Sequence, residues 1–277
     1  MGNCSYCGKP AGLLKNTHKE CEETFRRGER QLVAVITSDI NQGKPLDSLE
    51  QALKNIAKDH FIRPSDIQKY LVQGWEEAVK AALEDNVLTQ EEEHRLTAFA
   101  NRFSLSQEQV DKNGAFTQLV HAGVLRDILN GKIPKRMEIE GRLPFNLQKD
   151  EQLIWVFKNV PYYEQKTRRE YVGGSVGGSV RVAKGVYVRA SSFRGNPVEK
   201  TETVHLDTGL LGVTNKHLYF AGDTTKSFRI PYSKIVSFKP YSDGIGIQRD
   251  ASTAKPQSFL TGYGWFTYNL IYNLAKM

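Results

Sequence analysis

All three cysteines of the 277-residue chain fall within its opening segment, MGNCSYCGKPAGLLKNTHKEC. Two residues separate Cys4 from Cys7, two separate His18 from Cys21, and ten lie between the pairs, giving C-x2-C-x10-H-x2-C. An x2 spacing lets two side chains of one tight turn point at a single ion, and three sulfurs with one imidazole form a donor set suited to tetrahedral zinc. Gly8 supplies a residue that tolerates positive φ behind the first pair, and Lys9-Pro10 redirects the chain. The second pair is placed at the start of a helix running into Glu22-Glu23-Thr24-Phe25.

Two other uses of these residues are weaker. An odd number of cysteines without a signal-peptide pattern argues against a disulfide framework and for a reducing compartment, where clustered Cys and His bind metal. Met1-Gly2 opens an N-myristoylation motif, but that motif needs Ser or Thr at the sixth position, where Tyr6 stands. The expected cofactor is therefore zinc held by Cys4, Cys7, His18 and Cys21. With four protein ligands no coordination position stays open, so the metal is expected to be structural, stabilising a segment of residues 1–28 too short to bury a core alone.

The remaining chain has room for about two further domains. It is 39% hydrophobic and 25% charged, with no apolar run long enough to cross a membrane, so a cytoplasmic location is expected, with peripheral contact at the inner face of the membrane. The net charge of +7 is unevenly spread: residues 141–277 hold 19 Lys and Arg against 10 Asp and Glu. An anionic partner is accordingly expected there.

Residues 29–131 read as a helical domain. Apolar residues recur at three and four along Leu32, Val35, Ile36 and Ile40, along Leu49, Leu53 and Ile56, and along Ile67, Leu71, Trp75, Val79 and Leu83. Gly43-Lys44-Pro45 and Arg63-Pro64-Ser65-Asp66 punctuate the stripes, and Thr89-Gln90-Glu91-Glu92 forms a capping box. A calcium loop counted from Asp85 fails, because Val87 and Gln90 occupy its third and sixth positions. The acidic turn Asp85-Asn86-Val87-Leu88, the Thr-capped Glu-rich helix and the following Leu105-Ser106 resemble the helix-turn-helix of tellurite-resistance protein B-like (TerB-like) domains over about residues 80–130. No metal ligand of that family is carried over to this chain.

Residues 132–149, including Lys132-Ile133-Pro134-Lys135-Arg136, read as a linker, and residues 150–277 as a β domain. Runs such as Ile154-Trp155-Val156-Phe157, Val180 to Arg189 and Leu211 to Phe220 are β-branched and aromatic, with Asn215-Lys216 and Gly222-Asp223 at hairpin positions. Gly264 to Leu274 returns to helical spacing. DTGLLGVTNKHLYFAGDTTKSFRIPYSKIVSFKPYSDGIGIQRD, with the preceding RVAKGVYVRASSFRG, resembles the GRAM and bacterial pleckstrin-homology-like group over about residues 150–277. That resemblance implies a β-barrel or sandwich closed by one C-terminal helix, and the chain also resembles uncharacterised bacterial proteins carrying this arrangement. The fold class expected for the whole chain is α+β and multidomain: a small zinc module, a helical bundle and this β domain.

No catalytic constellation is legible. The Gly-Gly-Ser-Val repeat over residues 173–180 lacks the Gly-Lys-Ser/Thr of a P-loop and is followed by a strand pattern, so it reads as a hairpin or edge segment. The histidines outside the metal motif have no nucleophile or acid at an interpretable spacing. The function expected is a non-catalytic adaptor whose basic β domain contacts anionic lipid or an acidic protein through Lys166, Arg168, Arg169, Arg181, Lys184 and Arg189. A nucleic-acid-binding zinc protein is the alternative, disfavoured by a cysteine segment too short for a recognition helix. An enzyme is a second.

Overall fold

The computed structural model describes residues 2–12, 15–137 and 143–277 except 173–174, 184–185 and 194–195, with side chains described outside 167–200. It is a mixed helix and sheet structure that divides into two compact units, Met1–Lys132 and Ile133–Met277.

The first unit carries helices α1 (Lys19–Gln42), α2 (Leu46–Asp59), α3 (Ile67–Ala82), α4 (Gln90–Arg102), α5 (Gln107–Val110) and α6 (Ala115–Leu129). Local chemistry sets their ends. Gly43, at φ 64°, closes α1 by donating its N–H to the carbonyls of Asp39 and Ile40, a left-handed cap that a residue with Cβ resists. Thr89 and Glu92 exchange hydrogen bonds to open α4, and Ser106 and Gln109 do the same for α5. Leu32 and Ile36 of α1 pack with Trp75 and Val79 of α3 and with Leu96 and Phe99 of α4 in one core. The buried Trp75 indole is satisfied by the carbonyl of Leu96 at 2.9 Å. Helix α1 begins at Lys19, whereas the apolar stripe starts near Glu29. Its first turns bury little, so periodicity does not reveal them.

The second unit is built on strands β1 (Leu153–Val172), β4 (Asn196–Thr214), β5 (His217–Gly222), β6 (Phe228–Pro231), β7 (Ile235–Pro240), β8 (Gly244–Arg249) and β9 (Gln257–Leu260), followed by helix α7 (Gly264–Leu274). They form one curled antiparallel sheet in the order β6-β5-β4-β1-β9-β8-β7. Strand β1 pairs with β4 from Leu153 opposite Thr214 to Val172 opposite Asn196, and with β9 through Tyr162 opposite Phe259. Strands β2 (Ser175–Ala183) and β3 (Val186–Phe193) form a separate two-stranded sheet.

The inner face buries Tyr162, Leu211, Leu218, Phe220, Ile247 and Phe259, and α7 adds Phe266, Leu270 and Ile271. The Phe266 ring meets Trp155 edge-on at 5.1 Å. Strand β5 does not show the alternation of a one-sided strand, because its other face is covered too: Tyr219 and Ala221 pack with Phe145, against which Leu143 and Leu147 rest. Phe145 lies over Gly212, where an added Cβ would stand 2.6 Å from the ring. The glycine of the Gly-Val-Thr-Asn motif thus makes room for the segment that precedes β1.

Candidate metal centre

The opening segment folds back on itself. Asn3 and Pro10 form an antiparallel bridge, Cys4 N–H donates to the Lys9 carbonyl at 2.7 Å, and Gly8 N–H donates to the Cys4 carbonyl at 2.9 Å. Gly8 sits at φ 74°, so the turn uses the left-handed conformation that glycine adopts without strain. These bonds turn Cys4 and Cys7 to one side. His18 is the N-cap of α1 and Cys21 lies in its first turn, a three-residue helical separation that puts both side chains on one face.

The four donor atoms lie within 4.8 Å of one another. Cys7 Sγ is 3.4 Å and Cys21 Sγ 3.7 Å from His18 Nδ1. A tetrahedral site with zinc–sulfur and zinc–nitrogen bonds of about 2.3 and 2.0 Å requires sulfur–nitrogen edges of about 3.5 Å. The cluster therefore fits such an ion. His18 Nε2 lies 3.0 Å from the Pro10 carbonyl, which only accepts, so this nitrogen carries the hydrogen and Nδ1 offers its lone pair toward the cysteines.

The electrostatics match a cation-binding cluster. Burial acts to raise the Cys4 pKa, but N–H groups of Cys7, His18 and Tyr6 outweigh it and bring it to about 6. Burial and the neighbouring Cys7 and Cys4 sulfurs push Cys21 up to about 11. The Pro10 carbonyl, then Cys7, raise His18. One thiolate stabilised by amides, beside a second sulfur that holds its proton, describes ligands whose mutual repulsion a dication relieves. Tyr6, between the first two cysteines, stacks toward Phe25 of α1 with centroids 5.1 Å apart, anchoring the turn to the helical unit.

The predicted anion-contact residues are less completely placed. Lys166 is half-buried on β1, opposite Glu202 of β4. The ranges of β1, β2 and β3 take in Arg168, Arg169, Arg181 and Arg189, whose side chains fall outside the described part, as does the whole of Lys184.

A buried polar cluster was not legible in the sequence. Glu151 accepts hydrogen bonds from Thr214 Oγ1 at 2.5 Å, Tyr219 at 2.7 Å, His217 Nδ1 at 2.8 Å and the Gln148 N–H at 2.7 Å. Thr214 Oγ1 in turn accepts from the N–H groups of Lys216 and His217, shaping the hairpin between β4 and β5. Glu151, Thr214, His217 and Tyr219 are all buried, which gives the cluster the character of a structural staple. Among the described residues no helix is long and apolar enough to cross a membrane. Comparisons with protein-family models, with curated proteins and with solved structures return no match to this chain.

Proposed function

We propose that this chain is a non-catalytic binding protein in which a structural zinc ion ties the N-terminal turn to α1 and a pleckstrin-homology-like β unit engages an anionic partner. The zinc reading is supported by three sulfurs and one imidazole nitrogen at tetrahedral spacing, with the second imidazole nitrogen held by a carbonyl. All four coordination positions are filled by protein, so the ion's work is to order its own segment.

The observation that carries the binding reading is the second unit itself: an antiparallel sheet whose first strand joins β4 to β9, backed by one C-terminal helix, in the part of the chain that holds 19 basic and 10 acidic residues from 141 onward. A basic excess of this kind attracts anionic surfaces and polyanions.

Two measurements on the full-length protein test the reading. Metal analysis is expected to find one zinc per chain, and a metal-free protein that keeps its α1 N-terminus ordered overturns the structural role. Retention on vesicles containing phosphatidylglycerol, on immobilised polyglutamate and on a labelled oligonucleotide is compared at rising salt. Salt-sensitive retention on lipid or polyglutamate supports the adaptor reading, retention on the oligonucleotide alone moves the function to nucleic acid, and no retention at low salt overturns it.

A further inference from the structure

Among the described residues of Ile133–Met277, the large hydrophobic side chains that stand exposed are Val236, Tyr263, Trp265 and Met277. All lie on β7, on α7 or within three residues of the ends of α7. They thus concentrate on one helix and on the edge strand that it packs against. Helix α7 carries no charged residue, and its two faces differ in kind. Phe266, Leu270, Ile271 and Leu274 are buried, while Trp265, Tyr268 and Tyr272, spaced by three and four, follow another line along the helix, with Trp265 58% exposed.

The aromatic stripe is ordered. Tyr268 and Tyr272 stack with centroids 5.4 Å apart, Phe238 of β7 meets Tyr272 edge-on at 6.0 Å, and the Lys276 ammonium lies 4.0 Å from the Tyr272 ring centroid. Strand β7 is an edge of the sheet, with Val236 62% exposed. Lys234 immediately precedes β7, Lys239 lies on it and Arg249 ends the paired strand β8, while Lys276 follows α7 and no acid follows Asp250. Asp243 and Asp250, at the two ends of β8, are the acidic groups flanking the patch.

We propose that the outward stripe of α7 and the neighbouring strand β7 seat this chain on an anionic lipid bilayer, Trp265 and Tyr263 entering the interface while Lys234 and Lys276 meet lipid phosphates. The proposal rests on the reading of the β unit as anion-binding and names its partner and its contact face. Trp and Tyr have apolar bodies and a polar edge, the combination favoured where hydrocarbon meets headgroups. Lysines let their stems cover apolar surface while the ammonium reaches the phosphate level. A second copy on this face would oppose lysine to lysine, which disfavours self-association.

The experiment uses full-length zinc-loaded protein, phosphatidylcholine vesicles with and without phosphatidylglycerol, and matching vesicles with brominated acyl chains. Binding only to the anionic vesicles is expected, with a blue-shifted Trp emission and a quenchable component that Trp265→Phe removes, since Trp75 is fully buried and the half-buried Trp155 packs edge-on against Phe266. Trp265→Ser is expected to weaken partitioning about tenfold and Lys276→Gln about fivefold, with unchanged circular dichroism. Charge-dependent binding without bromolipid quenching overturns this face and leaves the anion-binding reading intact. Retention on polyglutamate without vesicle binding overturns the bilayer assignment alone, whereas no retention on any anionic surface overturns both. A doubling of mass in light scattering that Trp265→Ser abolishes gives the face to a second copy and overturns the proposal.

Discussion

Glu151 and His217 meet at 2.8 Å although they lie 66 positions apart in the chain. The contact fixes the foot of β1 to the β4–β5 hairpin, because the same carboxylate also takes the Thr214 and Tyr219 hydroxyls. Burial acts to raise the Glu151 pKa, and the hydrogen bonds from Thr214, Gln148, Tyr219 and His217 outweigh it, holding it at about 2. Glu151→Gln is expected to cost roughly 2–4 kcal/mol, measured by urea unfolding, because buried charge-assisted bonds are lost and partners are left unpaired.

The same group sets an acid limit on the β unit. A carboxyl whose folded pKa is depressed from 4.5 to about 2 adds stability above 4.5 and loses it as pH falls toward 2. The contribution is roughly 3 kcal/mol. Unfolding midpoints between pH 5 and 2 are expected to fall steeply for the native chain and less steeply for Glu151→Gln; equal slopes would remove Glu151 from the account.

In the helical unit, buried His121 has its pKa lowered to about 4 by burial, with Asp111 opposing. Here the neutral form is favoured by folding, so stability is full above the ordinary 6.5 and declines as pH drops from 6.5 to 4, where the unfolded chain takes up the proton. The loss amounts to roughly 3 kcal/mol. His121→Gln is expected to flatten this segment of the stability profile of the helices, and an unaltered profile contradicts it.

Removing the metal with a chelator, or replacing Cys4 by Ser, is expected to raise amide exchange in residues 2–12 and in the first turns of α1 while the sheet keeps its protection. Exchange that rises equally in β1 and β4 would show that the ion supports more than its own segment.

Gly74 of α3 faces α1 so closely that an added Cβ would stand 2.4 Å from Ile36 Cγ2. Gly74→Ala gains roughly 1 kcal/mol of helix propensity but must push two helices apart, which costs roughly 1–3 kcal/mol. Net destabilisation in thermal unfolding is expected; a rise in Tm would mean that α1 and α3 separate without loss of packing.

What the sequence determined by itself is what a few neighbouring residues determine. The x2 spacings place Cys4 with Cys7 and His18 with Cys21 because a tight turn and a single helical turn each act within about four residues. For the same reason Gly43, the Thr89–Glu92 capping box and Asn215-Lys216 were legible as a helix stop, a helix start and a hairpin connection. The β-rich character of residues 150–277 and the helix near the C-terminus follow from short-range periodicity.

Tertiary structure alone decided which strands meet. That β1 joins β4 on one side and β9 on the other depends on the total apolar surface buried when Tyr162, Phe220 and Phe259 come together, a sum over residues far apart in sequence. It also decided that Glu151 serves His217, that β5 is covered on both faces by Phe145 and the inner core, and that Phe266 is buried while its neighbour Trp265 stands in solvent. Local pattern identifies an amphipathic or aromatic residue, but only the packed neighbours fix which side of it faces water.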